Sequence, residues 1–170
     1  MKKIKVKIAT TFVFIAVLLI LCSNLLRAEG LGSRLANIKT LEGYTLKAES
    51  DRGCSYYNEK EGTTLIIGLA GADKQGFSKQ LQDKKFVKGL IDGQEDTGRI
   101  KIESHKVIEI EKIPTVEFSG KIDVSGGGRW LPERKIIFSK SGQIYNISLI
   151  GPKEYIENQT NLLIEIAQKL

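Results

Sequence analysis

The residues best suited to proton or metal chemistry in this sequence are Glu103 and His105, which stand two positions apart. Side chains two apart on a strand share a face, so this carboxylate and imidazole could bind a metal ion or move a proton together. The alternative is ordinary placement of both on the surface. Because the 170-residue chain has one histidine and no other metal-ligand pair stands out, we predict a protein that is not an enzyme, with no catalytic residue, metal or cofactor.

A glycine-rich connection followed by an arginine and a tryptophan is the best candidate for a binding site. Residues 126–128 are three consecutive glycines, and Arg129 and Trp130 come next. Arginine and tryptophan often anchor protein interfaces, and binding residues concentrate on loops. We therefore predict partner binding at Gly127, Gly128, Arg129 and Trp130. The alternatives are an anion cradle formed by the glycine amides and a structural role for Trp130 at the edge of a sheet.

The two cysteines exclude a disulfide-rich scaffold. Cys22 follows an apolar run, as in a bacterial lipoprotein signal in which the cysteine is acylated. That motif has a small residue before the cysteine, whereas Leu21 stands there in this chain. We therefore interpret Cys22 as a small apolar residue of the signal segment, with lipidation of Cys22 as the alternative. Cys54 has no partner once the first 28 residues are removed, and we predict a buried free thiol.

The first 28 residues have the features of an export signal. Four lysines lie within the first seven residues, and an unbroken apolar run covers residues 12–22. This run is as long as the apolar region of a signal peptide and shorter than the roughly 20 residues that span a bilayer. We predict cleavage after Ala28, with an uncleaved anchor as the alternative because Leu26 is larger than the usual residue there. The protein is expected to be exported, periplasmic or secreted, and to touch the membrane only through such an anchor or a lipid.

Most of the excess positive charge belongs to this predicted export segment. The full chain has 26 basic and 20 acidic residues, a net charge of +6. Residues 1–28 hold five basic residues and no acidic one, which leaves 21 basic and 20 acidic residues. Nonspecific nucleic-acid binding needs clustered positive charge, and the one dense cluster, Lys79, Lys84, Lys85 and Lys88, is typical of a solvated helix face, with docking of an acidic partner as the alternative. We expect no nucleic acid among the partners.

The chain after residue 43 begins with strands and then a helix. Strands are predicted at 44–48, 54–58 and 63–70, and the third is apolar on both faces, so it should lie centrally in a sheet covered on both sides. Apolar residues at helical spacing then predict one helix over 77–91 that stops at Gly93.

The remaining chain predicts more strands and a final helix. Residues 99–111 predict two paired strands or one bent strand, and residues 116–124 alternate between apolar and polar. Residues 131–150 predict a hairpin that reverses at Gly142. Pro152 then opens an amphipathic helix that reaches the C-terminus.

These elements predict an α+β fold, an antiparallel β-sheet covered by helices as a layered αβα sandwich. The predicted organisation is a signal peptide or N-terminal membrane anchor at 1–28, a tether at 29–43, and a single α+β domain at 44–170. About 142 residues after the export segment are enough to bury one core.

The order of elements and the C-terminal sequence resemble a known family. Lys135-Ile136-Ile137-Phe138, the Gly142–Leu149 strand and the Tyr155-bearing helix are similar to the PsbP-like fold family, which includes PsbP and exported bacterial relatives such as DcrB-like proteins. The resemblance covers residues 44–170 in element order. It implies an accessory, assembly or chaperone-like protein without catalytic residues, and it supplies no site residue.

The functional hypotheses are therefore three. The first is an exported noncatalytic accessory protein that acts by binding another protein in the bacterial cell envelope. The second is a carrier of a small apolar ligand in a groove between sheet and helix. The third is an enzyme that uses Glu103 and His105.

Overall fold

The computed structural model describes residues 41–157 and 159–170. Its strands are β1 (Tyr44–Ser50), β2 (Gly53–Asn58), β3 (Thr63–Ala72), β4 (Ile100–Ile110), β5 (Ile113–Asp123), β6 (Trp130–Lys140) and β7 (Gln143–Ile150). Its helices are α1 (Phe77–Gln80), α2 (Lys84–Glu95), α3 (Lys153–Ile156) and α4 (Thr160–Lys169). The predicted export segment, with Cys22, and residues 29–40 of the predicted tether lie outside the described residues.

The seven strands form one antiparallel sheet in the order β1-β2-β3-β7-β6-β5-β4. Helices α3 and α4 pack on one face, the α4 face, and α1 and α2 pack on the other, the α2 face. The predicted α+β class and its helix-covered antiparallel sheet are confirmed. The hairpin predicted to reverse at Gly142 is confirmed as well, with Ser141 and Gly142 in the left-handed conformation that a two-residue hairpin turn requires.

The main core lies between the sheet and α4. Alternate strand residues turn to this face, and α4 presents an apolar stripe to them. Burial of each such side chain stabilises the fold by about 1.5–3 kcal/mol. The residues without any exposed surface in this layer are Leu65, Ile67, Ile136, Ile147, Leu149, Leu163 and Ile166. Leu41 also packs here, so the folded part begins before β1.

A smaller core lies under α1 and α2. Phe77, Leu81 and Val87 pack against Val116 and Phe118 of β5. The apolar residues predicted for one helical stripe are therefore buried together. The four predicted surface lysines of this region are exposed, as expected for the wet side of a helix.

The single helix predicted over 77–91 is wrong, because the chain breaks between α1 and α2. Asp83 lies at the N-terminus of α2, and its carboxylate accepts the backbone N–H of Lys85 at 2.8 Å. The backbone of Asp83 is extended, with φ -88° and ψ 114°, so one helix cannot run through this residue. The stop at Gly93 is wrong too, since an exposed glycine costs a helix only about 1 kcal/mol and α2 continues to Glu95.

The C-terminal region also contains two helices, α3 and α4, where one was predicted. As predicted, the amphipathic C-terminal helix, α4, packs against the sheet. The side chain of Lys140 on β6 reaches the end of α4 and donates to the carbonyl oxygens of Ala167 at 3.2 Å and Gln168 at 2.9 Å. A cation at a helix C-terminus satisfies carbonyls that have no partner within the helix.

The α2 face is covered over one half only. Helix α1 packs on β5 and β6 and α2 packs on β4, which leaves the part formed by β2 and the start of β3 open among the described elements. Ile66 of β3 is 39% exposed, whereas Leu65 and Ile67 beside it are 0% exposed. The prediction that this strand is covered on both sides is therefore wrong. The helices connect β3 to the far edge strand and cover the sheet near that edge.

The region 99–111 is one strand with a bulge, the bent-strand alternative. The pairing register of β4 with β5 shifts between Ile102 and Ser104. Opposite the bulge stands Gly120, where an added Cβ would lie 2.0 Å from the carbonyl oxygen of Lys101. The close approach of the two backbones therefore requires glycine at this position.

Candidate functional site

The bulge in β4 separates the two residues of the catalytic hypothesis. Glu103 pairs with Lys121 at 2.8 Å and lines a cleft on the α4 face. His105 lies on the α2 face and lines another cleft together with Lys84 and Lys88 of α2. The expectation that they share a face is wrong, because an extra residue in a strand reverses the alternation beyond it.

The backbone N–H groups of the glycine loop are hydrogen-bonded to a carboxylate of the same chain. The carboxylate of Asp123 accepts the backbone N–H groups of Ser125 at 3.1 Å, Gly126 at 3.0 Å and Gly128 at 2.9 Å, and the Ser125 hydroxyl at 3.1 Å. These bonds, that from Gly128 above all, lower the pKa of Asp123 below its ordinary value. The alternative of an anion cradle for an external ligand is wrong, since the amides are already satisfied.

The residues predicted for partner binding do not form one surface. Gly127 and Gly128 are exposed in the loop. Trp130 lies on the α4 side of the sheet, where the ammonium of Lys101 stands 4.4 Å from its ring centroid. Arg129 turns to the α2 side. The structure does not bring Arg129 and Trp130 together, because consecutive residues at a strand end project to opposite faces.

Arg129 borders a groove on the open half of the α2 face, which we call the Arg129 groove. Its volume is about 660 Å³. The strands β2, β3, β7, β6 and β5 supply its floor, and the chain around residues 97–100 and 123–129 supplies its border. Its lining is Tyr57, Gly62, Thr64, Ile66, Thr97, Arg99, Ile100, Ile122, Asp123, Val124, Arg129, Leu131 and Ile150.

The floor of the Arg129 groove is apolar and accessible. Ile66 is 39% exposed, and Ile122 and Leu131 stand opposite each other in the β5–β6 pairing. Val124, at the border beside this floor, is 40% exposed. Sequence reasoning missed this site because β-branched residues in strands are normally explained by a covered face. Only the paths of α1 and α2 show which of these residues remain uncovered.

The border of the groove is positively charged. The guanidinium of Arg99 donates to the carbonyl oxygen of Asp123 at 3.1 Å and forms no ion pair with a described residue. Arg129 likewise has no carboxylate partner in the described part of the chain. At the opposite side, the ammonium of Lys47 stands 5.9 Å from the ring centroid of Tyr57. The groove therefore combines an apolar floor with cations at its edges.

The thiol of Cys54 is buried, as predicted, and is free. Burial chiefly, then the charge of Glu49, raises its pKa to about 11, and a hydrogen bond with Tyr56 acts in the other direction. The thiol is on the α4 face, away from the groove. A thiol held in its neutral form is a poor nucleophile.

The described residues contain neither a cluster suited to a metal ion nor a membrane-spanning helix. Nowhere in residues 41–157 and 159–170 do three His, Cys, Asp or Glu side chains come together as a metal site requires. In the same ranges no helix is both long and apolar enough to cross a bilayer.

Comparison with known proteins places the fold. No family model matches the chain, and no curated protein matches it by sequence. Among solved structures it is similar to cyanobacterial PsbP (CyanoP) from Synechocystis sp. PCC 6803, with a TM-score of 0.53 and 10% identity over 75% of this chain and 80% of that chain. The predicted PsbP-like fold is confirmed. At 10% identity the likeness concerns the fold alone.

Two further solved structures resemble the chain less closely. PA94, a protein of unknown function from Pseudomonas aeruginosa, has a TM-score of 0.48 and 14% identity over 75% of this chain and 96% of that chain. The Ran-binding protein Mog1p of Saccharomyces cerevisiae has a TM-score of 0.43 and 9% identity over 75% of this chain and 82% of that chain.

Proposed function

We propose that this protein is an exported, noncatalytic accessory or chaperone-like protein of the bacterial cell envelope that binds another protein through the Arg129 groove. The observation that carries the proposal is the open half of the α2 face, where apolar residues of central strands remain accessible. Accessible apolar surface with a polar border is typical of a protein interaction site. The export signal predicted at residues 1–28 supports the location.

The geometry favours protein binding over carriage of a small apolar ligand. A small-molecule site encloses 70–90% of its ligand, whereas the Arg129 groove lies along an open sheet face. The layer between the sheet and α4, where a carrier would hold its ligand, is filled by side chains such as Leu65 and Ile147 with no exposed surface. Mass spectrometry under native conditions checks the alternative, since a copurifying apolar molecule would favour a carrier.

The test compares variants of the groove in capture experiments from the envelope of the source cells. Captured proteins are identified by mass spectrometry, and the affinity of each is measured with purified components. Ile66→Ser and Arg129→Ala should each weaken the interaction about tenfold, because anchor residues at an interface contribute more than about 1 kcal/mol. Both side chains are at the surface, so the fold should tolerate both changes.

Two control variants locate the interaction. Trp130→Ala changes the neighbouring residue, which lies on the other side of the sheet, and should leave the affinity unchanged. Val107→Ser removes an apolar side chain that is 47% exposed on β4, outside the groove. Equal binding by wild type, Ile66→Ser and Arg129→Ala would reject the groove, and a loss confined to Trp130→Ala would move the site to the α4 face.

A further inference from the structure

We infer, building on the proposed function, that the segment bound in the Arg129 groove is an apolar peptide segment that carries carboxylates. The proposal specifies the chemistry of the partner: leucine-like or valine-like side chains for the floor, and aspartate or glutamate for the arginines. It rests on the charge and composition of the groove lining.

The first step is the charge of the lining. Its ionisable side chains are Arg99, Arg129, Asp123 and Tyr57. The carboxylate of Asp123 is engaged by three backbone amides and a hydroxyl, so little of its capacity to accept remains for a cation. The carboxylate keeps its negative charge, but two guanidinium groups outweigh it, so the charge of the lining is positive.

The second step is that these arginines differ from three other cations of the sheet. Arg134, Lys106 and Lys121 all pair with carboxylates of the neighbouring strands. Within the described residues Arg99 and Arg129 have no such partner, although both border an apolar surface. Arginine at an apolar surface is suited to bidentate binding of a carboxylate from another molecule.

The third step is the shape of the groove. Its floor is formed by side chains of adjacent strands, among them Ile66, Ile122 and Leu131. A volume of about 660 Å³ accepts several side chains at once, and the open side lets a chain enter and leave along the sheet. An acyl chain with an anionic head group also combines apolar surface with negative charge, but such a small ligand binds best in an enclosed cavity. The open groove therefore favours a peptide.

The experiment uses protein expressed from the full-length chain and three peptides of 12 residues. The peptides share leucines at helical spacing, and the positions between them carry glutamate, glutamine or lysine. Binding is measured by calorimetry at low and high salt. The glutamate peptide should bind at least tenfold tighter than the glutamine peptide at low salt, and high salt should reduce this advantage because it screens exposed charges.

Charge reversal then identifies the cation. Arg129→Glu should weaken binding of the glutamate peptide at least tenfold and strengthen binding of the lysine peptide. The matched control is Arg52→Glu, an exposed arginine in the turn before β2 and outside the groove lining, which should change neither affinity. Equal affinities for the three peptides, or equal effects of the two reversals, would overturn the inference.

Other occupants give different results. Binding to phosphatidylglycerol vesicles that Arg129→Glu abolishes, with no peptide bound, would overturn the inference in favour of a membrane surface. A dimer that the same variant dissociates would overturn it in favour of a second copy. If the captured partner is lost with Ile66→Ser but is insensitive to Arg129→Glu and to salt, the proposed function stands and the acidic chemistry is wrong.

Discussion

The behaviour of the glycine loop is determined by Asp123, the residue just before it. The Asp123 carboxylate at the end of β5 accepts backbone N–H groups of the following turn, so hydrogen bonds close the loop that contains the three consecutive glycines. Aspartate commonly bonds the backbone two or more residues ahead. The pattern of aspartate, then serine and glycine, was available in the sequence and could have predicted this loop.

The bonds to Asp123 predict a dependence of stability on pH. Its pKa in the folded protein lies below the ordinary value of 3.8, so the unfolded chain binds more protons as the pH falls. The stabilisation is complete above about pH 4 to 5 and is lost as the pH falls through the folded-state pKa. Asp123→Asn should therefore flatten the fall in the free energy of unfolding below pH 4, as measured by urea titrations between pH 2 and 7.

The control for this prediction is Asp51→Asn, in the exposed turn before β2. This variant should show the same fall in the free energy of unfolding at low pH as the wild type, because no described hydrogen bond of the fold uses the Asp51 side chain. If Asp123→Asn followed the wild-type curve over the whole range, the loop bonds would not contribute to the acid sensitivity.

At the scale of elements, α4 is tied to the sheet by a buried polar group as well as by its apolar stripe. Glu117 of β5 is 3% exposed. One oxygen accepts the Thr160 hydroxyl at 2.9 Å and lies 3.2 Å from the Arg134 guanidinium, and the other lies 3.1 Å from the Lys106 ammonium. Arg134 also donates to the Thr160 hydroxyl. The start of α4 is thereby placed over β5 and β6.

This link gives a prediction for a pair of substitutions. Glu117→Gln should lower the free energy of unfolding by about 2–3 kcal/mol, because it leaves the Arg134 charge without its buried partner. Adding Arg134→Met should recover part of this loss, since an apolar side chain of similar size needs no partner. Chemical denaturation of both variants measures the difference.

An exposed ion pair on the same sheet face provides the control. Lys121 and Glu103 also link β5 and β4, but both side chains are about half exposed. Glu103→Gln should change the free energy of unfolding by less than about 0.5 kcal/mol. If its cost equalled that of Glu117→Gln, burial would not explain the effect.

At the scale of the whole molecule, the surface that we propose for partner binding follows from how the helices are distributed. Two helices join β3 to the opposite edge of the sheet and cover the strands near that edge. The strands near the other edge keep an open face with Arg99 and Arg129 on its border. The PsbP-like architecture thus produces a groove on the part of the sheet that its helices leave uncovered.

The proposed export predicts the N-terminus of the protein in its cells. Cleavage after Ala28 should give a chain that begins at Glu29, which mass spectrometry of the purified protein measures. The physical basis is a basic start followed by an apolar run too short to span a bilayer. An intact N-terminus would favour the uncleaved anchor, and an acylated chain that begins at Cys22 would show the lipoprotein alternative to be correct.

The sequence by itself determined most of the strands, the fold class and the buried Cys54, because periodicity in apolar residues depends on which side of an element faces a core. It did not determine where a helix lies along a sheet, since many arrangements bury the same stripe. For that reason the exposure of Ile66 and the separation of Glu103 from His105 by a bulge were decided only by the tertiary structure. Both depend on contacts between residues far apart in the chain.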